Sequence, residues 1–257
     1  MSADLDPDTT EDAVLGGRLM LRQPRRGHRV GHDAILLAAA TAATAGEHAV
    51  DLGAGVGGAG LALAVRVPGL RVTMVEIDPS LAALAASNAL TNMMGERVRA
   101  VTCDAEDTAA LGRFGLAAGS IDRVLMNPPF NDASKQKVSP DPRRRLAHAA
   151  GPNLLKRWIA TAAFLLKPQG TLAMIWRADA FGDVLAALQA GFGAVAVMPV
   201  LPRPGASPIR VLVRAQKGGQ GALRDYPGLT LNDVNGKPSA AAEAVLRGGE
   251  TLPIASV

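Results

Sequence analysis

The residues best suited to chemistry are Asn127-Pro128-Pro129-Phe130. They follow an apolar run, Ile121 to Met126, that predicts a buried strand ending at the tetrapeptide. Two consecutive prolines cannot continue a strand or enter a helix interior, so they make a stiff platform. That platform offers a carboxamide, a backbone carbonyl and an aromatic ring, which together could hold and cover a planar amino group. Asn and Pro are also common turn residues, so the surrounding sequence has to decide between these roles.

A glycine-rich stretch, Asp51 to Gly58, follows another predicted strand and opens a predicted helix. Glycines there allow a sharp turn and close approach of a ligand, and the ligand-binding set includes Gly53, Gly55 and Gly57. Glu76 ends the next strand, 25 residues after Asp51, where a carboxylate can accept hydrogen bonds from a ribose diol.

A nicotinamide dehydrogenase is a competitor, because the dinucleotide pattern occurs twice, as Gly53/Gly55/Gly58 and as Gly55/Gly57/Gly60. Two acids count against it. Asp51 places a carboxylate before the first glycine, which suits a cationic ligand better than a pyrophosphate. Asp104, at the end of a third strand, could read an adenine amino group, and its alternative role is a helix N-cap.

Strands that alternate with Ala/Leu-rich helices are expected to position these residues, which predicts a doubly wound α/β fold with a mostly parallel sheet. Only Leu201 to Ser207 separates the last two strands, too short a link for a helical crossover, so the last strand should be antiparallel. Seven strands are expected near 48–52, 71–76, 97–103, 121–126, 170–176, 193–200 and 208–214. Helices are expected near 33–45 (with Asp33 as N-cap), 57–66, 79–93, 151–166, 179–190 and 239–246.

Composition predicts a globular chain with charged extensions. Residues 1–17 hold five acids and no Lys or Arg, which predicts a disordered arm and leaves +9 on the remainder of a chain whose net charge is +4. A domain is expected over 18–216, followed by an extension, 217–257, packed on or beside it. The apolar run Ala34 to Ala45 is too short to span a bilayer, so no membrane association is expected. The single cysteine, Cys103, excludes an internal disulfide and a cysteine-based zinc site, and it fits a reducing cytoplasm.

Taken together, Asp51, the glycines, Glu76, Asp104 and Asn127-Pro128-Pro129-Phe130 resemble class I S-adenosylmethionine-dependent methyltransferases that modify exocyclic or amide nitrogens. Further segments narrow the resemblance to bacterial tRNA adenine-N6 methyltransferases, which act on the adenosine 3′ of the valine anticodon. These segments are Gly27 to Leu37, Ser139 to Pro142, Arg145, Ala147-His148, Pro202 to Gly205 and Arg210 to Val213. Phe130 departs from the tyrosine that many members have, which keeps the stacking ring and loses a hydroxyl.

The resemblance implies a seven-stranded sheet, S-adenosylmethionine as methyl donor (leaving S-adenosylhomocysteine), no metal, and an adenine target. Asn127 Oδ1 and the Pro128 carbonyl would accept the two N–H groups of adenine, and Phe130 would stack on the base. Asp33 and Asn127 join Asp51, Gly53, Gly55, Gly57, Glu76 and Asp104 in the expected cofactor-binding set.

Basic residues on either side of the core are the candidate RNA contacts, because phosphates attract cations. They are Arg22, Arg25, Arg26, Arg29, Lys135, Lys137, Arg143, Arg144 and Arg145. The main alternatives are the same chemistry on a glutamine amide or a ribosomal RNA base, a dehydrogenase, and an RNA-binding protein without catalysis. The oligomeric state and the role of the tail cannot be deduced from the sequence.

Overall fold

The computed structural model describes residues 8–27, 29–129 and 153–256, and a twisted central sheet dominates this part of the chain. Its long strands are β3 (His48–Leu52), β4 (Arg71–Glu76), β5 (Val98–Thr102), β6 (Ile121–Met126), β7 (Leu166–Arg177), β8 (Phe192–Leu201) and β9 (Arg210–Lys217). Helices cover its faces: α1 (His32–Ala40), α2 (Gly58–Arg66), α3 (Pro79–Thr91), α4 (Thr108–Arg113), α5 (Leu154–Leu165), α6 (Phe181–Leu188) and α7 (Ala240–Leu246).

The strands lie in the order β8-β9-β7-β6-β3-β4-β5. All neighbours are parallel except β9, which is antiparallel to both β7 and β8. The predicted α/β class, the mostly parallel sheet and the antiparallel last strand are therefore confirmed. Two short strands, β10 (Arg224–Asp225) and β11 (Leu229–Thr230), pair with the outer edge of β8 and extend the sheet beyond the seven predicted strands.

The N-terminal residues correct the prediction of a disordered arm over 1–17. Within the described residues, β1 (Thr9–Val14) and β2 (Leu19–Pro24) form an antiparallel hairpin. Leu15, Leu19 and Leu21 are at most 1% exposed, so the hairpin is anchored in the main core. Residues 1–7 lie outside the described range.

The C-terminal tail, predicted as an extension packed on or beside the core, contributes to the sheet and to the core itself. Leu229, Val245, Leu252 and Ile254 are buried in the same apolar cluster as α1 and α2. Two-residue strands such as β10 and β11 leave no periodic pattern in the sequence, because alternation needs four or more residues to be recognised.

Candidate active site

Three of the predicted site residues, Gly53, Glu76 and Asn127, follow neighbouring strands at the carboxyl edge of the sheet. Leu52 of β3 is in register with Met126 of β6 on one side and with Val75 of β4 on the other. Gly53, Glu76 and Asn127 therefore leave three adjacent strands at the same level, about 4.8 Å apart per strand. Ligands of open α/β sheets bind at this edge.

The glycine-rich loop turns tightly because its backbone adopts left-handed angles. Gly53, Gly55 and Gly57 have φ values of +69°, +58° and +91°, which side chains rarely tolerate. A Cβ on Gly53 would collide with the ring of Trp158, and one on Gly57 would lie 2.7 Å from Met74 Sδ. Among the atoms of the described residues, none would lie within 4 Å of a Cβ on Gly55, so Gly55 borders open space in this part of the structure.

Asp51 supports this loop from below. It is 2% exposed, and its Oδ2 accepts a hydrogen bond of 2.8 Å from the Gly60 N–H. Burial raises the pKa of Asp51 to about 7, against the lowering effect of that hydrogen bond, and the nearby Glu76 carboxylate adds to the rise. The chain therefore holds a carboxyl group that is easily protonated directly under the loop.

Glu76 ties the loop to the end of β4. Its Oε2 accepts from the Gly55 N–H at 2.8 Å and its Oε1 accepts from the Asp78 N–H at 2.9 Å. Each carboxylate oxygen can accept a second hydrogen bond. Glu76 can therefore fix the loop and still bind the hydroxyls of a ligand.

Asp104 is exposed beyond β5 and does not serve as the N-cap of α4. That role belongs to Asp107, which accepts from the Ala110 N–H. The Asp104 carboxylate instead accepts from the Glu106 N–H at 2.9 Å. Beside it, Arg157 of α5 donates to Glu106 at 2.6 Å and so fixes the start of α5 near this acid.

Asn127 is half-buried and Pro128 is buried. Neither the Asn127 carboxamide nor the Pro128 carbonyl has a hydrogen-bond partner among residues 8–27, 29–129 and 153–256. Two acceptors therefore stand available next to the glycine-rich loop. Phe130 lies outside the described residues, as do Lys135, Lys137, Arg143, Arg144 and Arg145.

Asp33 is not the N-cap of α1, contrary to the prediction. The helix begins after Gly31, and Asp33 lies in its first turn. Its carboxylate accepts from Arg210 Nε at 2.9 Å, which joins α1 to the start of β9. Asp33 is close to the loop, because the neighbouring Ala34 and Val30 side chains pack against Gly58.

The N-terminal arginines are partly neutralised by the acids of β1. Arg22 pairs with Glu11 at 3.1 Å and Arg29 pairs with Asp12 at 2.6 Å. The exposed Arg25 and Arg26 follow the end of β2. The sequence gave no sign of these acidic partners, and the role of the arginines as RNA contacts stays a prediction.

Residues 29–200 match the family described as the methyltransferase small domain. The chain belongs to this methyltransferase family. A protein of Porphyromonas gingivalis named tRNA1(Val) (adenine(37)-N6)-methyltransferase is 34% identical over 160 residues. The match covers 61% of this chain and 61% of that relative's length. A protein of the same name from Bacteroides fragilis is 30% identical over 194 residues, which cover 72% of this chain and 76% of the relative.

Among solved structures, a predicted O-methyltransferase of Agrobacterium tumefaciens is similar with a TM-score of 0.72 and 26% identity. The similarity covers 86% of this chain and 98% of that protein. Because residues 29–200 make up less than 86% of the chain, this similarity also includes part of the segments before residue 29 or after residue 200.

The site of this methyltransferase-family chain fits the nucleoside part of a methyl donor. The open space beside Gly55 leaves room for a ligand, and the Glu76 and Asp104 carboxylates beside it can accept from hydroxyl and amino groups. Within the described ranges, no cluster of His, Cys, Asp and Glu suited to a metal is present. Over the same residues, no helix combines the length and apolarity needed to cross a bilayer.

Two residues of the site were missed by sequence reasoning. Trp158 lies under Gly53 and is 8% exposed. Asn88 is 1% exposed, and its Nδ2 donates to the Val56 carbonyl at the end of the glycine-rich loop. In the sequence, a tryptophan on an amphipathic helix cannot be distinguished from an ordinary core residue. An asparagine within a helix likewise does not indicate which residue it will bond.

Proposed function

We propose that this chain transfers a methyl group from S-adenosylmethionine to the exocyclic amino group of an adenine in tRNA. The observation that carries the proposal is the pair of acceptors beside the glycine-rich loop, Asn127 Oδ1 and the Pro128 carbonyl, which have no hydrogen-bond partner among the residues that the structure describes. The names of the P. gingivalis and B. fragilis relatives support N6 of an anticodon-loop adenosine as the target.

The two acceptors are suited to an amino group rather than to a hydroxyl. An adenine amino group offers two N–H donors in one plane, and two acceptors can bind both of them. Holding both donors favours a pyramidal nitrogen and aims its lone pair away from the platform. The rigid Pro128-Pro129 pair keeps the acceptors fixed, and such orientation lowers reaction barriers by up to roughly 7–11 kcal/mol.

The acids of the loop region would hold the methyl donor. Glu76 would accept from its ribose hydroxyls and Asp104 from its adenine amino group, while the backbone at Gly53, Gly55 and Gly57 would lie against it. Asp51 and Asp33 would act from further away, through Gly60 and through α1. The donor, when bound, supplies an electrophilic methyl group that needs no metal activation.

Methylation of a hydroxyl is the second candidate, because the A. tumefaciens neighbour is described as a predicted O-methyltransferase. A hydroxyl acceptor normally has to lose its proton to a base during transfer. Within the described residues, the half-buried Asn127 and the buried Pro128 offer no titratable group, which favours a nitrogen target. The cytoplasm, where tRNA is modified, is the location this proposal requires.

The test incubates the chain with labelled S-adenosylmethionine and unmodified tRNA, followed by nucleoside analysis. We expect N6-methyladenosine. Asn127→Ala should lower kcat at least 100-fold, because one of the two acceptors is lost, while S-adenosylmethionine affinity by calorimetry should change by less than about 5-fold. Label in a sugar hydroxyl or in protein, or NADH binding without S-adenosylmethionine binding, would contradict the proposal.

A further inference from the structure

A second groove lies on the opposite, amino-terminal side of the sheet. It has a volume of about 690 Å³ and lies over the beginnings of β6, β7 and β8 and the end of β9. Its charged lining consists of Arg123, Arg214 and Arg224, and its amide-bearing lining of Gln169, Gln216 and Gln220. Cations together with amide donors are the groups that bind phosphate oxygens.

Two of the three arginines of this groove have no carboxylate partner among the described residues, whereas the third is ion-paired. Arg123 pairs with Glu47 through contacts of 2.6 and 3.0 Å. Arg214 donates to the Ser256 carbonyl at 2.9 Å, and Arg224 donates to the Tyr226 hydroxyl at 3.4 Å. In the part of the chain that the structure describes, no carboxylate forms an ion pair with Arg214 or Arg224.

The arginines are close enough to affect one another. The pKa of Arg214 is lowered, first by burial and then by the nearby charges of Arg224 and Arg123, although Tyr226 acts in the opposite direction. The positive field extends along the same edge of the sheet. There the pKa of His48 is lowered to about 4 by burial and by the charges of Arg71, Arg99 and Lys167, with Asp122 opposing them.

We infer that this groove binds phosphates of the same RNA whose base is held at Asn127, at a point distant from the reacting base. The inference rests on the proposed function and adds a second anchoring point. Along β6, Arg123 precedes Asn127 by four residues, or about 13 Å. Four strand spacings separate β6 from β10, which places Arg224 on the order of 20–25 Å from Asn127.

That separation matches a structured RNA better than a small ligand. A nucleic-acid helix that rises roughly 3.4 Å per base step covers 20–25 Å in about seven steps. A loop base held at the carboxyl edge can therefore be joined to stem phosphates held in the groove. A dinucleotide that contains the target adenosine is too short to occupy both places.

The test compares two arginine-to-glutamine variants in binding to unmodified tRNA at several KCl concentrations. Arg224→Gln removes one exposed groove charge, and Arg247→Gln removes a charge of similar exposure at the end of α7. We expect Arg224→Gln to weaken tRNA binding several-fold and to reduce the slope of log K against log salt by about 0.7–0.9. Arg247→Gln should match the unaltered chain, and the pair Arg214→Gln with Arg224→Gln should lose more.

A second substrate separates this inference from the proposed function. A dinucleotide that contains the target adenosine should bind equally to the unaltered chain and to Arg224→Gln, and kcat at saturating tRNA should be unchanged. If the unaltered chain does not methylate tRNA, the proposed function fails. If it does, and Arg224→Gln either equals Arg247→Gln or also loses the dinucleotide, the groove is not the second anchoring point.

Discussion

Gly55 and Gly46 share a left-handed backbone and differ in what lies beyond them. Their φ values are +58° and +87°, and a Cβ on either would meet no atom within 4 Å. Gly46 belongs to the turn before β3, whereas Gly55 borders the proposed donor site and donates to Glu76.

Alanine at these two glycines should therefore separate strain from ligand binding. Each substitution should destabilise the fold by roughly 1–2 kcal/mol, because left-handed angles are unfavourable for alanine. Only Gly55→Ala should also weaken S-adenosylmethionine binding, since its methyl group would enter the ligand's space. Thermal unfolding and calorimetry measure the two effects, and equal affinities in both variants would place the ligand elsewhere.

Asp51 should make the unliganded protein less stable as the pH rises. Its pKa is about 7 in the folded chain and 3.8 as the ordinary value, so the folded state holds the proton more tightly. Below pH 4 the acid is neutral in both states. Between about pH 4 and 7 the unfolded state alone loses the proton, which costs stability, and above pH 7 the loss is constant.

Asp51→Asn should remove this dependence, because an amide can accept from Gly60 without carrying a charge. Its advantage over the unaltered chain should grow between about pH 4 and 7 and then level off, with roughly 4 kcal/mol as the ceiling. Melting temperatures at pH 5 and 8 test this, with Asp225→Asn as the exposed control. If the stability difference between Asp51→Asn and the unaltered chain is the same at pH 5 and pH 8, Asp51 is already ionised in the folded protein at pH 5.

At the scale of elements, two asparagines of α3 dock the N-terminal hairpin. Asn88 Oδ1 accepts from the Arg22 N–H and its Nδ2 donates to the Arg22 carbonyl. Asn92 makes the same pair of bonds with Met20. Residues four apart on a helix thus match residues two apart on a strand, and the side chains take the place of a neighbouring strand.

Asn88→Ala should destabilise the fold by about 2–4 kcal/mol. The substitution would remove the partner of the Arg22 N–H, the Arg22 carbonyl and the Val56 carbonyl. Asn88 is 1% exposed, so water could not replace these bonds. Asn92→Ala removes the equivalent pair at a half-buried position and should cost less. Asn92 Nδ2 also donates to the Asn88 carbonyl at 2.7 Å, so each asparagine makes three bonds. Chemical denaturation measures both losses, and equal losses would mean that the deeper burial of Asn88 does not add to the cost.

The long elements and the antiparallel last strand could be predicted, because helix and strand periods are strong over Ala/Leu-rich and Val/Ile-rich runs and the link between the last two strands is short. The hairpin could not, since the acids of β1 look like a solvated arm until their pairing with Arg22 and Arg29 is known. Within the site, Asp51, Glu76 and Asn127 were visible as polar residues at strand ends. Trp158 and Asn88 depend on contacts between distant segments, which spacing along the chain does not reveal.

At the scale of the whole molecule, acids and arginines are concentrated in different places. Glu76 and Asp104 lie toward the carboxyl edge of the sheet, where a methyl donor with a positive sulfonium would bind. Arg123, Arg214 and Arg224 line the second groove, where a polyanion would be favoured. Raised salt should therefore weaken tRNA binding more than it weakens binding of the methyl donor.

The guanidinium of Arg66, at the end of α2, donates to the carbonyls of Val245, Gly249 and Glu250. Leu252 also bonds through its backbone to Ala39 of α1. The Arg66 contacts join residues separated by about 180 positions in the chain, and Leu252 and Ala39 are 213 positions apart. The full set therefore cannot form until synthesis has passed residue 252. At 5–20 residues per second, a ribosome needs roughly 10–40 seconds to add the intervening chain. During that interval the apolar surfaces of α1 and α2 that pack against the C-terminal segment remain exposed. We therefore expect the nascent chain to bind chaperones.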